Sequence, residues 1–217
     1  MTLAPELAGS ADLVAELVRS GVRVSLGHSL ATAAQARSAA RAGAVGATHL
    51  FNAMGPLHHR EVGLAGCALT ESALFAELIG DLVHVGPDAV ALALAARGPA
   101  GLCLVSDALS GAGTGCDTFH CNGREHHIHD GAAWFGGPDE PRLGGSASGQ
   151  LDQVRRLVGA GVVSLEEALT MAAETPARAL GLEGEFGRLA VGARADLIQL
   201  AGPDLQLEQV WVAGVRA

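Results

Sequence analysis

Four apolar stretches of this chain end on a side chain that can bind a metal or move a proton. "SLGH" ends on His28, "GATH" on His49, "ELIGDLVH" on Asp81 and His84, and "CLVSD" on Asp107. Neutral imidazole with carboxylate is the donor set of a hydrolytic divalent-metal site, where the ion lowers the pKa of bound water. A lone histidine in such a place is more often a satisfied core or loop residue. Four polar ends on otherwise apolar runs are harder to explain one at a time. They do chemistry only if the fold brings them together.

The elements around them show how it would. "VRVSLGHS", "VGATHL", "LFAELIGD" and "GLCLVSDA" read as strands, and "LATAAQARSAARAG" and "GPDAVALALAARGP" as helices between them. "SADLVAELVRSG" sets Leu13, Val14, Leu17 and Val18 on one helical face, with Ser10 as cap and Gly21 as stop. Strands with few charges, each followed by a helix or long loop, predict an α/β fold with a parallel sheet covered by helices. In such folds the carboxyl ends of the strands face one crevice. His28, His49, His84 and Asp107 are therefore expected to converge. "GQLDQVRRLVGAG" and "SLEEALTMAAETPARALGL" read as two later helices.

Composition excludes several functions. The 217 residues carry a net charge of −9, and the basic residues are scattered singly, which argues against a nucleic-acid partner. No apolar run reaches the roughly 18 residues of a membrane span. Nothing at the start reads as an export signal, so a cytoplasmic protein with reduced thiols at its four cysteines is expected.

Eight segments, "TLAPE", "GHSLATAAQA", "THLFNAMGPLHHREVGLAG", "ELIGDLVHVGPDAV", "LVSDA", "LGGSAS", "ETPARALGL" and "GRLAVGARADLIQL", carry a resemblance over nearly the whole chain. In this order they resemble the landmarks of the N-acetylglucosamine-6-phosphate deacetylase family of metal-dependent amidohydrolases. The resemblance implies removal of the acetyl group from N-acetylglucosamine 6-phosphate with a divalent ion, zinc or iron. It implies that His28 and His49 are metal ligands and that Asp107 is the catalytic acid and base. Asn52 and Ala53 would line the sugar-phosphate pocket, Asp81 through His84 would contact substrate, and Leu143, Gly144 and Gly145 would close over the sugar. Arg60 would meet the phosphate from the neighbouring subunit of a homodimer.

This chain departs from the family in places. A glutamate ligand in a His-Leu-Glu-Gly-Pro motif, and a histidine soon after it, have no counterpart here. Leu82 stands where glycine is commoner, so a different backbone path is expected there. Counting parallel strands gives five: near Thr2 to Ala4, Arg23 to His28, Ala47 to His49, Phe75 to Ile79, and Leu102 to Asp107. A closed barrel of this class needs about eight. The resemblance therefore implies an incomplete (β/α)8 barrel, its last five units, over 1–185, followed over 186–217 by strands of a small β-sandwich domain. An open sheet of this kind is expected to expose two apolar edges.

"TFHCNGREHHIHDGAAWF" predicts a hairpin turning at Asn122-Gly123. Its Cys116, His120, Cys121, His126, His127 and His129 are crowded, yet they lack a Cys-x-x-Cys pair, and strand alternation splits His120 from Cys121. A solvated hairpin is the expectation, with a structural zinc as the alternative. Two further functional readings stand beside the deacetylase. One is a non-catalytic relative or fragment that keeps the fold without competent metal binding, and the other is a metal-sequestering protein using the hairpin.

Overall fold

Short apolar runs punctuated by glycine form five strands: β1 (Thr2–Leu3), β2 (Ser25–Leu26), β3 (Gly46–Ala47), β4 (Phe75–Ile79) and β5 (Leu102–Val105). The structure, a computed structural model, describes residues 1–217. All four pairings are parallel, and the spatial order β1-β2-β3-β4-β5 is the chain order. Each crossover carries at least one helix: α1 (Ser10–Arg19), α2 (Ala33–Arg41), α3 (Gly63–Thr70) and α4 (Pro87–Arg97). Helix α5 (Gln150–Gly159) follows, then a continuous run of α6 (Leu165–Leu169), a π-helical turn (Thr170–Glu174) and α7 (Thr175–Leu180).

Strand alternation gives the sheet two different faces. One face joins the helices in two buried clusters, in which Leu26, Ala76, Leu78 and Leu104 meet Val14, Ala36, Leu64, Val90, Leu157 and Met171. The other face is polar. Thr2 Oγ1 lies 3.0 Å from Thr48 Oγ1, which in turn donates to Ser25 Oγ at 2.7 Å. Thr2, Ser25, Glu77 and Cys103 line a cavity of about 160 Å³ on that side.

Several local expectations change. Ser10 does not cap α1: it is the first helical residue, its Oγ donates to the Pro5 carbonyl, and Gly9 makes the turn at φ 76°. Helix α3 was invisible to periodicity because every residue from Gly63 to Leu69 is buried, leaving no polar face to read. The edge strand β5 is not bare. Leu102, Cys103 and Leu104 are buried, and the α5 side chains Gln150 and Gln153 donate to the carbonyls of Leu104 and Ser106.

The hairpin at Asn122-Gly123 extends into a four-stranded antiparallel sheet: β6 (Thr118–Cys121), β7 (Arg124–His129), β8 (Ala132–Phe135) and β9 (Arg142–Ser146). The tail holds three strands, β10 (Leu197–Ala201), β11 (Gln206–Val212) and β12 (Val215–Arg216). "QVWVAGV" folds back on itself at Ala213 and Gly214. This small sheet is tied to the rest at one corner, where Leu205 enters the main core and Arg155 donates twice to its carbonyl. No helix is long and apolar enough to cross a membrane.

Candidate active site

The carboxyl ends of β2 to β5 open on a cleft of about 420 Å³. His28, His49, His84 and Asp107 line it, one from beyond each strand. Asn52 and Ala53 join them from the loop after β3, and Leu143, Gly144 and Gly145 from β9. A parallel sheet delivers the residue after every strand to the same edge, so positions distant in sequence meet there.

β9 reaches the cleft because it is bonded to the segment after β5. Ser146 N donates to the Asp107 carbonyl at 2.9 Å, and Leu109 N donates to the Ser146 carbonyl at 2.9 Å. Gly145 makes that approach possible: at φ 152°, a Cβ there would lie 2.9 Å from the Asp107 carbonyl oxygen.

The strand ends are strained. His28, His49 and Asp107 hold φ values of 50°, 37° and 48°. Phe51, Ala53 and Leu82 on the same loops are also left-handed, so six of the chain's ten non-glycine residues of this kind sit at this edge. Each such conformation costs on the order of 1–3 kcal/mol, and its concentration at one place marks geometry imposed by the surrounding fold. Leu82 holds φ 61°, a conformation glycine adopts without strain.

His28 and His49 face each other through Nε2, 3.0 Å apart, with their rings at 86°. Burial, and then the neighbouring His28, push the His49 imidazole below the ordinary histidine range, against a pull from Asp107. A neutral imidazole is the form that binds metal. His49 Nδ1 is buried and has no hydrogen-bond partner. Two nitrogens on one tetrahedral zinc lie about 3.3 Å apart, close to the observed separation. Catalytic zinc takes three protein ligands, and no group of three or more His, Cys, Asp or Glu forms a candidate site in this chain. The residues present fit as part of a divalent-metal ligand set.

Asp81 is not on the cleft wall. It is fully buried behind His84, and its carboxylate is already used: His84 Nδ1 lies 2.7 Å from Oδ2, and the N–H groups of Val83 and His84 each donate to Oδ1 at 2.9 Å. With Nδ1 held there, His84 keeps Nε2 for the cleft. Burial alone would raise the Asp81 carboxyl, but the His84 ring and the two N–H groups outweigh it and hold it below the usual range. The stability from a depressed carboxylate is present above its unfolded pKa of about 3.9 and is lost as pH falls through the folded value. Asp81→Asn is expected to cost roughly 1–3 kcal/mol at neutral pH in urea unfolding. The gap to wild type should close in acid. A gap that persists unchanged through the acid range would remove the carboxylate's charge from the account.

Other supporting residues escaped sequence reasoning. Glu77 on β4 carries a carboxyl that burial pushes upward, opposed by hydrogen bonds from His49 N–H and the Ser25 hydroxyl, with Asp107 adding to the rise. A lone acid in an apolar strand was its only signal. Gln153 accepts from Gly80 N at 2.8 Å, and Arg156 donates to the Asp81 carbonyl at 3.2 Å, so α5 clamps the loop after β4. Gln153 could have been noticed as a polar residue in the apolar stripe of α5.

Arg60 lies outside the cleft, exposed on the loop before α3. In the four-stranded sheet, His126 is 4% exposed and stacked on Phe119, with ring centroids 5.1 Å apart, so it is a packing residue. His120 and Cys121 pair with Glu125 and Arg124 at adjacent positions, and His127 and His129 are exposed.

The sequence profile of the amidohydrolase family matches residues 4–216, and the chain belongs to that family. It is 37% identical over 217 residues to N-acetylgalactosamine-6-phosphate deacetylase of Escherichia coli O157:H7, covering 99% of this chain and 55% of that protein. To N-acetylglucosamine-6-phosphate deacetylase of Mus musculus it is 37% identical, covering 99% of this chain and 53% of that protein. The crystal structure of N-acetylglucosamine-6-phosphate deacetylase from Pasteurella multocida superposes with a TM-score of 0.92 at 33% identity, over 100% of this chain and 55% of that one. A mutant of the Mycobacterium smegmatis N-acetyl-D-glucosamine-6-phosphate deacetylase in complex with N-acetyl-D-glucosamine-6-phosphate superposes at 0.89 with 36% identity, over 99% and 56%. The chain spans about half the length of the curated relatives it matches.

Proposed function

We propose that these 217 residues form the C-terminal part of a divalent-metal hydrolase that removes the acetyl group from N-acetylglucosamine 6-phosphate, giving glucosamine 6-phosphate and acetate. The observation that carries this reading is the cleft, where two facing imidazoles, a further histidine and an exposed aspartate share one sheet edge. Five sequential parallel strands are read as the last five βα units of a (β/α)8 barrel, and residues 186–217 as strands of a small β domain.

His28 and His49 would hold the ion, zinc or iron, together with a ligand from outside these residues. When bound, a divalent ion supplies Lewis acidity at the acetyl carbonyl and lowers the pKa of the attacking water. Asp107 takes the proton from that water as its oxygen bonds to the carbonyl carbon, then gives a proton to the amine nitrogen as the C–N bond breaks. Amide hydrolysis needs both kinds of help, because an amine is a poor leaving group. His84, oriented by Asp81, donates or accepts at the sugar, and Asn52, Ala53, Leu143, Gly144 and Gly145 shape its pocket. Arg60, outside its own cleft, serves the neighbouring cleft of a homodimer by binding the phosphate. A phosphorylated sugar substrate and free cysteines agree with a cytoplasmic setting.

The test is acetate release by a chimaera in which residues 1–217 replace the matching segment of the Mycobacterium smegmatis deacetylase, with added Zn²⁺ or Fe²⁺. Turnover of N-acetylglucosamine 6-phosphate is expected, and a folded, metal-loaded chimaera without turnover would overturn the reading. The galactosamine epimer belongs in the same assay, because a relative of equal identity is named for it.

Arg60→Ala should weaken N-acetylglucosamine 6-phosphate by roughly 10–100-fold, since a hydrogen bond to a charged group contributes about 1.5–3 kcal/mol. N-acetylglucosamine itself should bind as before. Equal losses on both sugars would make Arg60 structural.

A further inference from the structure

The loop before α3 is built more firmly than an exposed loop requires. His58 N donates to the Glu61 carbonyl at 3.2 Å and Glu61 N donates to the His58 carbonyl at 3.0 Å, closing a tight turn with His59 and Arg60 at its tip. Within the turn, Arg60 N donates to His58 Nδ1 at 3.2 Å, and Arg60 Nη1 lies 2.9 Å from His59 Nε2.

What fastens this turn to the body is one carboxylate oxygen. Glu61 Oε1 accepts from Ala33 N at 2.9 Å and from Gly63 N at 3.0 Å. Ala33 and Gly63 are the first residues of α2 and α3, and the first amides of a helix have no partner within it. Neither helix supplies a second side chain for these two groups: the Thr32 capping box of α2 serves Gln35 N and Thr32 N, and no cap bonds α3 from Val62. Those two N–H groups, Ala33 first, hold the Glu61 carboxyl below the usual range.

We propose that Glu61 is the positioning residue for a phosphate-binding Arg60, fastening the 58–61 turn to the starts of α2 and α3 so that the guanidinium is held, preorganised, outside its own chain's cleft. This rests on the reading of Arg60 given above. Without the anchor the turn would be free to swing, and fixing it again on binding would cost affinity for the phosphate alone. Glu61 touches no substrate. Its effect passes through Arg60.

The test uses the chimaera, titrated with inorganic phosphate, N-acetylglucosamine 6-phosphate and N-acetylglucosamine, with amide hydrogen exchange followed at Ala33 and Gly63. Glu61→Ala should speed exchange at both amides. It should weaken the two phosphate ligands by about tenfold or more, approaching the loss in Arg60→Ala, with N-acetylglucosamine unaffected. The double variant Glu61→Ala/Arg60→Ala should bind no more weakly than Arg60→Ala alone. Glu61→Gln, which keeps an acceptor oxygen without the charge, should fall between wild type and Glu61→Ala. If Arg60→Ala loses phosphate selectively while Glu61→Ala does not, or loses all three ligands alike, the positioning role is overturned and the reading of Arg60 stands. If Arg60→Ala leaves phosphate binding unchanged, the reading of Arg60 fails and the role of Glu61 falls with it.

Discussion

Asp107→Asn is expected to lower turnover of N-acetylglucosamine 6-phosphate by about 10²–10⁴-fold in the chimaera, with metal content unchanged. The reasoning starts from shape. Asparagine matches aspartate in size, and the backbone at this position is held from outside the side chain, by Ser146 N on the Asp107 carbonyl. The strained φ of 48° is tolerated as well by asparagine as by aspartate. The cleft should therefore keep its form, and His28 and His49 should keep whatever ion they hold. What changes is proton traffic: an amide cannot take a proton from water and return it to a leaving amine. Turnover rates set beside metal content measured on the same samples separate the two effects. Near-normal turnover would remove Asp107 from the mechanism. A parallel loss of metal would recast it as a ligand.

The readable part of this site is the part that depends on strand ends. A buried parallel strand is a short apolar run, so its first polar residue stands out, and His28, His49, His84 and Asp107 could be placed at one edge before any coordinates. What sequence could not give was direction. Asp81 and His84 look like two equivalent polar residues on one loop, yet one turns inward and is consumed by the other. Arg60 and Glu61 are adjacent charges, and only the fold shows that Glu61 reaches back to two helix starts while Arg60 is left free of the body. Helix α3 was lost for a different reason: a helix buried on every side carries no period. Strand β9 carries two glycines and little strand signal of its own, and it is placed by its antiparallel pairing with β8.

The largest effect expected is on the chain taken alone. The 217-residue protein should release acetate at background rates and retain a divalent ion only weakly after dialysis, where the chimaera turns over and stays loaded. Two imidazoles 3.0 Å apart supply two ligands where catalytic zinc takes three, and no third acidic or sulfur donor joins them. On the barrel reading proposed above, five strands in an open order fall short of the roughly eight that close it. On that reading the polar face bearing Thr2, Ser25 and Glu77 would be closed by strands from outside these residues. The two ends of the sheet differ. At β5 the Leu104 carbonyl, and the Ser106 carbonyl just past the strand, are taken up by Gln150 and Gln153, so association through that edge is disfavoured. At β1 the pairing with β2 covers one side only. Any self-association seen by size exclusion should therefore run through β1, and a proline at Thr2, whose N–H points away from β2, should reduce it. A well-folded monomer that holds its metal and hydrolyses N-acetylglucosamine 6-phosphate would sink this expectation, and with it the claim that the ligand set is completed from outside these residues.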